Sequence, residues 1–182
     1  MTRKEYKELL RKDYLRHSDN TSILSRIKVY LTKPGYVWCH WYRKLCYQRS
    51  HTLLKPLSVI TRLYYRHICI KYGYDIPSHV KEIGGGFLIA HFPNVSIHKD
   101  CIIGENVTIR QGCSIAVSNG KTPIIGNNVD IGISAIIMGD IKVGDNAVIG
   151  ANSLVCHDVE KNSVVVGNPA KKIRNRKKNE SI

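Results

Sequence analysis

Branched aliphatic residues return every six positions through the middle of this chain. From Ile83 the sequence reads IGGGFL, IAHFPN, VSIHKDCI, IGENVT, IRQGCS and IAVSNGKTPI, and from Ile125 it reads IGNNVD, IGISAI, IMGDIK, VGDNAV, IGANSL and VCHDVE. Every unit from 83 to 155 thus opens with Ile or Val, and VSIHKDCI and IAVSNGKTPI are longer than the rest. A small or aliphatic residue recurs four places after the opener, as at Val107, Cys113, Val129, Ala135 and Ala147. A period of six matches neither the 3.6 of a helix nor the alternation of a lone strand. It fits a short strand plus a turn, repeated as one side of a three-sided coil, with each opener stacked on its counterpart about 18 residues later and ~4.8 Å along the axis. The Gly, Asn and Asp at unit positions two to four tolerate the turn conformations of the corners. A sandwich would need longer strands than this spacing allows.

The first 73 residues follow a helical pattern instead. Tyr6, Leu9, Leu10 and Tyr14 share one face; TSILSRIKVYL, with its Thr/Ser start, repeats Ile23, Leu24, Ile27, Tyr30 and Leu31; Pro34-Gly35 reads as a break. A further helix is expected from near Pro56 to before Gly73, carrying Leu57, Ile60, Leu63, Tyr64 and Ile68.

Charge divides the chain in the same places. The 182 residues hold 28 Lys+Arg against 14 Asp+Glu, a formal +14. Residues 1–73 carry +12 together with both tryptophans, residues 74–170 carry −3, and residues 171–182 carry +5. Three segments follow: a basic, aromatic-rich helical one (1–73), a coil (74–170) and a basic tail (171–182). Such charge favours anionic partners without choosing among them. No nucleic-acid module is recognisable, so nucleic acid is not expected as a partner. No apolar run approaches the roughly 18 to 20 residues of a membrane span, and MTRKEYKELLRKDY has no apolar signal core. A cytoplasmic protein is expected. The six cysteines lie far apart without a C-x-x-C pair and read as reduced thiols. No metal is expected, since His91 and His98 have no third ligand in pattern.

The hexad series, closed by VVVGNPAKKI, resembles the hexapeptide-repeat acyltransferases, and YGYDIPSHVKEIGGGFLIAHFPNVSI followed by NVTIRQGCSI is similar to the serine acetyltransferase branch with its polysaccharide and oligosaccharide O-acetyltransferases. The likeness covers about 75–173. It implies a mainly β fold, a left-handed parallel β-helix behind an N-terminal α-helical segment, assembled as a homotrimer that uses acetyl-CoA. It also implies a direct acetyl transfer in which a histidine is the general base and an aspartate of the preceding DI element supports it; His91 and Asp75 occupy those positions. For acetyl-CoA the matching residues are Ala151, Lys171 and Arg174, with His157 standing where a lysine is common. Arg176, Lys177 and Lys178 read as a solvated tail.

Two departures bear on the acceptor. In serine acetyltransferases an aspartate directly precedes the catalytic histidine and an Arg-His-Pro triplet follows in a later loop; here those positions are Ala90 and Lys121-Thr122-Pro123. Losing charged contacts to a zwitterion weakens its binding. The departures therefore predict a neutral hydroxylic acceptor, a sugar of a surface polysaccharide or its precursor; for Lys121 two readings stay open, a contact for an acidic sugar or a solvated loop lysine. Serine O-acetylation is the alternative, and a non-catalytic basic binding protein a further one. For the basic helices two readings stay open: docking on the anionic inner face of the membrane, or packing as a cap on the trimer.

Overall fold

The computed structural model describes residues 1–177. Among them are four α-helices, α1 (Arg3–Leu15), α2 (Ile23–Thr32), α3 (Pro34–Arg49) and α4 (Lys55–Tyr72), and fifteen short strands. Helix α1 starts on a reciprocal cap in which Thr2 and Glu5 bond each other's backbone, and α4 stops at Gly73 in the left-handed conformation (φ 68°). Pro34-Gly35 does not break the chain. Pro34 opens α3, because a proline at the first helical position gives up only an N–H that has no partner there. This unforeseen helix is the most buried of the four, with Trp38 and Leu45 fully enclosed.

The strands form three parallel walls. Wall A holds β1 (Tyr74–Asp75), β4 (Val95–Ile97), β7 (Ser114–Ala116), β10 (Ile136–Met138) and β13 (Leu154–Val155). Wall B holds β2 (Glu82–Ile83), β5 (Ile102–Ile103), β8 (Ile124–Ile125) and β11 (Lys142–Val143). Wall C holds β3 (Leu88–Ile89), β6 (Thr108–Ile109), β9 (Asp130–Ile131), β12 (Val148–Ile149), β14 (Ser163–Val166) and the antiparallel β15 (Lys171–Asn175). The chain visits B, C and A in turn, so each two- or three-residue strand pairs with one a full coil away: Ile137 faces Val155, and Ile131 faces Ile149. The stacked openers Ile103, Ile109, Ile131 and Ile137 are sealed from solvent, and the fifth-position residues Val107, Cys113, Ala135 and Ala147 fill the corners beside them. Asn106, Asn128, Asn146 and Asn162 take positive φ at one corner, and asparagine side chains bond along that edge from coil to coil (Asn106 to Asn128, Asn146 to Asn162).

The register differs from the sequence reading at one corner. Ile89 pairs with Ile109 and Ile97 with Ile115, so eight positions separate the first two where six separate their partners. Ile97, rather than Val95, is the opener that stacks on Ile115, and the two extra residues lie in the corner Ala90-His91-Phe92-Pro93-Asn94 instead of in the unit VSIHKDCI. The four-residue excess after Ile115 is where the sequence put it.

The helices are fastened to the first coil. Asp13, with no solvent exposure, pairs with Arg43 at 2.9 Å and accepts the backbone N–H groups of Gly86 (2.8 Å) and Phe87 (3.2 Å). Arg43 in turn donates to the carbonyls of Ile83 and Gly84, both at 2.6 Å. Both charges of this buried cluster are thereby paired and hydrogen-bonded, which is the condition for burying ions at all.

Candidate active site

His91 stands exposed at the start of the lengthened corner between walls C and A. The corner is held from both sides. Above it, Gly73 at the end of α4 accepts from the N–H groups of Asn94 (2.8 Å) and Val95 (3.3 Å), and Tyr72 meets Phe92 edge to face at 5.4 Å. Below it, Gly112 donates to the Pro93 carbonyl at 3.2 Å. A side chain on Gly73 would stand 2.8 Å from the Pro93 Cβ, so this contact requires glycine by space as well as by conformation.

The remaining candidates divide between the two edges of wall A. Ala151, two residues past Ile149, occupies the corner place that His91 holds after Ile89; Gln111 and Ile133 lie between them on the same edge. Three coil spacings put Ala151 about 14 Å from His91 along the axis. Lys171, opposite Val166 at the start of β15, closes that edge, and Arg174 lies further along β15 opposite Val164. His157 and Lys121 belong to the other edge, between walls A and B. Lys121 sits in the four-residue excess, a tight hairpin closed by paired backbone bonds between Ser118 and Lys121 around Asn119 and Gly120, both at positive φ. It pairs with Asp140, and the two line a cavity of about 610 Å³ with Ser118, Met138 and Cys156. Within one protomer, His91 and Lys121 are thus a wall's width apart.

Asp75 lies on β1 and is exposed; its carboxylate accepts a hydrogen bond from Ser96 Oγ at 3.3 Å. Among the described residues no hydrogen bond joins it to His91. Asp75 instead lines a cavity of about 480 Å³ beside α4, together with Arg62, Arg66, Tyr74 and Ser78. The Tyr74 hydroxyl is buried there without a partner, and burial raises its pKa. These two arginines, one helical turn apart, drew no attention in the sequence because they fall within a generally basic segment. Arg176 also departs from expectation: its guanidinium turns back to donate to the Asn128 carbonyl at 3.0 Å rather than extending into solvent. Lys178 lies outside the described residues.

Comparison with known proteins agrees with this architecture. The family described as bacterial transferase hexapeptide, six repeats, matches residues 122–157. The serine acetyltransferase of Staphylococcus aureus strain Mu50 is 37% identical over 152 residues, covering 80% of this chain and 68% of the relative. That of Bacillus licheniformis is 36% identical over 154 residues, covering 81% and 68%. Among solved structures, soybean serine acetyltransferase apoenzyme superposes with a TM-score of 0.76 at 26% identity, covering 92% of this chain and 69% of that one. A serine acetyltransferase complex with CoA gives 0.74 at 26%, covering 94% and 70%.

These findings overturn the expectation of a sugar acceptor: the relatives that match over about four fifths of the chain are named serine acetyltransferases. The expectation weighed only Ala90 and Lys121; folding also brings Arg62 and Arg66 into one cavity with Asp75. With the coil, the closing strand and these relatives in agreement, the chain belongs to the serine acetyltransferase family of hexapeptide-repeat transferases and is an acetyl-CoA-dependent acyltransferase.

Proposed function

We propose that this protein is a serine O-acetyltransferase, working as a homotrimer by direct transfer from acetyl-CoA to L-serine. The observation that carries the reading is the exposed histidine on the lengthened corner between walls C and A, with Ala151 and Lys171 further along the same edge. In the transfer, His91 takes the proton of the serine hydroxyl as its oxygen attacks the thioester carbonyl. The tetrahedral adduct then collapses, the C–S bond breaks, and the departing thiolate recovers the proton from the imidazolium. The pantetheine arm lies along the edge past Ala151, with the phosphates toward Lys171 and Arg174. Asp75 acts through its charge, favouring the imidazolium and the substrate ammonium, while Arg62 and Arg66 receive the substrate carboxylate.

Trimerisation answers the separation of the two edges. The His91 edge of one protomer meets the hairpin edge of its neighbour, so that Lys121 and His157 complete the site from across the seam. The test is His91→Ala. It lowers kcat for L-serine by about 10²- to 10⁴-fold, while light scattering still gives the mass of three chains. Undiminished turnover in this variant would remove His91 from the chemistry.

A further inference from the structure

We propose that the outer face of α2 and α4 is a docking surface for an anionic phospholipid bilayer, a property beyond the acyl transfer and independent of its acceptor. Helix α2 leaves Leu24 (79%), Ile27 (51%) and Leu31 (76%) exposed along one stripe, and α4 leaves Leu57 (51%) and Ile60 (69%) exposed along another. The stripes are joined through α3: Trp41 donates to the Tyr30 hydroxyl on one side (2.7 Å) and lies 4.3 Å from the Tyr64 ring on the other. The two exposed stripes thus flank a partly buried aromatic bridge, apolar surface of the kind that marks an interaction site. Among the described residues none covers it.

Charge selects the occupant. From Asn20 to Tyr74 the sequence contains ten Lys and Arg residues and no Asp or Glu. Lys28 and Lys33 accompany the α2 stripe, Lys55 opens α4, and the Lys44 ammonium sits over the Trp41 ring at 4.5 Å. A second copy of the same face would bring like charges together with no carboxylate to offset them. Nucleic acid would match the charge and leave the leucines and isoleucines in water. An anionic bilayer satisfies both halves, taking the apolar stripes into its interfacial region and the lysines among its phosphates. No helix among the described residues is long and apolar enough to cross a membrane, so the contact is peripheral.

Flotation of the full-length protein with phosphatidylcholine vesicles, with and without phosphatidylglycerol, tests this. The protein is expected to float only with the anionic vesicles and to be released by salt. The double variant Leu24→Asp/Ile60→Asp loses flotation while keeping its assembly mass and its acetyltransferase turnover. Lys28→Gln/Lys55→Gln, which disturbs no apolar contact, weakens vesicle affinity roughly 30-fold and keeps the test decisive if the aspartates impair folding. Failure to float with anionic vesicles overturns the proposal. So does a change of assembly mass in the aspartate variant, which would make the face a contact between copies.

Discussion

Gly35, in the first turn of α3, rests directly on the carbonyl of Ile89. A Cβ at position 35 would overlap that oxygen and stand 3.1 Å from its carbon. Ile89 ends β3, and His91 follows two residues later, so the helical segment sets the height of the strand that carries the proposed base.

Gly35→Ala is therefore expected to cost about 1–3 kcal/mol by overpacking, read as a lower urea midpoint. Turnover should fall as well, because the backbone that must yield leads straight into the histidine corner. An alanine variant with unchanged midpoint and kcat would show that α3 does not position this strand.

The Asp13–Arg43 pair makes a second prediction. Asp13→Ala leaves a buried guanidinium and the N–H groups of Gly86 and Phe87 without their acceptor, and breaking a buried pair in this way costs about 3–5 kcal/mol. Thermal denaturation would show it, with Asp13→Asn expected to fall between the two because its oxygen can still accept. A loss under 1 kcal/mol in the alanine variant would mark the pair as energetically like a surface one.

His17 gives the pH dependence. Burial, then the charges of Lys33 and Arg16, lowers its pKa from 6.5 to about 4, and its Nε2 is buried without a partner. Between those values the unfolded chain binds a proton that the folded one refuses, so stability falls as pH drops from about 6.5 to 4 and is unaffected by this group above that window. His17→Gln should remove about 1–2 kcal/mol of that fall, the ring being only partly enclosed. Burial depresses His40 in the same direction, and that contribution persists in both proteins. Parallel stability curves for wild type and variant would contradict the assignment.

Arg62 and Arg66 bear on the substrate. Arg66→Gln should raise KM for L-serine by roughly tenfold or more, the loss of one charge-assisted contact, and leave KM for acetyl-CoA unchanged. If both constants move together, the cavity beside Asp75 is not the acceptor's.

The coil was legible because Ile103, Ile109, Ile131 and Ile137 recur at the spacing that stacks them, a local pattern with one structural solution. Three features were not. Pro34 looked like a helix breaker, since its favourable role at a first helical position depends on where the helix begins. The two-residue excess was assigned to the unit VSIHKDCI because Val95 also satisfies the opener pattern; only pairing of Ile97 with Ile115 distinguishes the registers. Arg62 and Arg66 became candidates only once α4 lay against β1, a long-range placement that no motif announces. The Asn119-Gly120 turn, in contrast, carried a hairpin signal that the sequence reading passed over.

The central claim is tested most directly by incubating the protein with acetyl-CoA and L-serine and weighing the products by mass spectrometry. The account predicts serine bearing one added acetyl group on oxygen, formed with stoichiometric release of CoA and lost in His91→Ala. Serine returned unmodified while a sugar hydroxyl in a parallel reaction gains the acetyl group would contradict it.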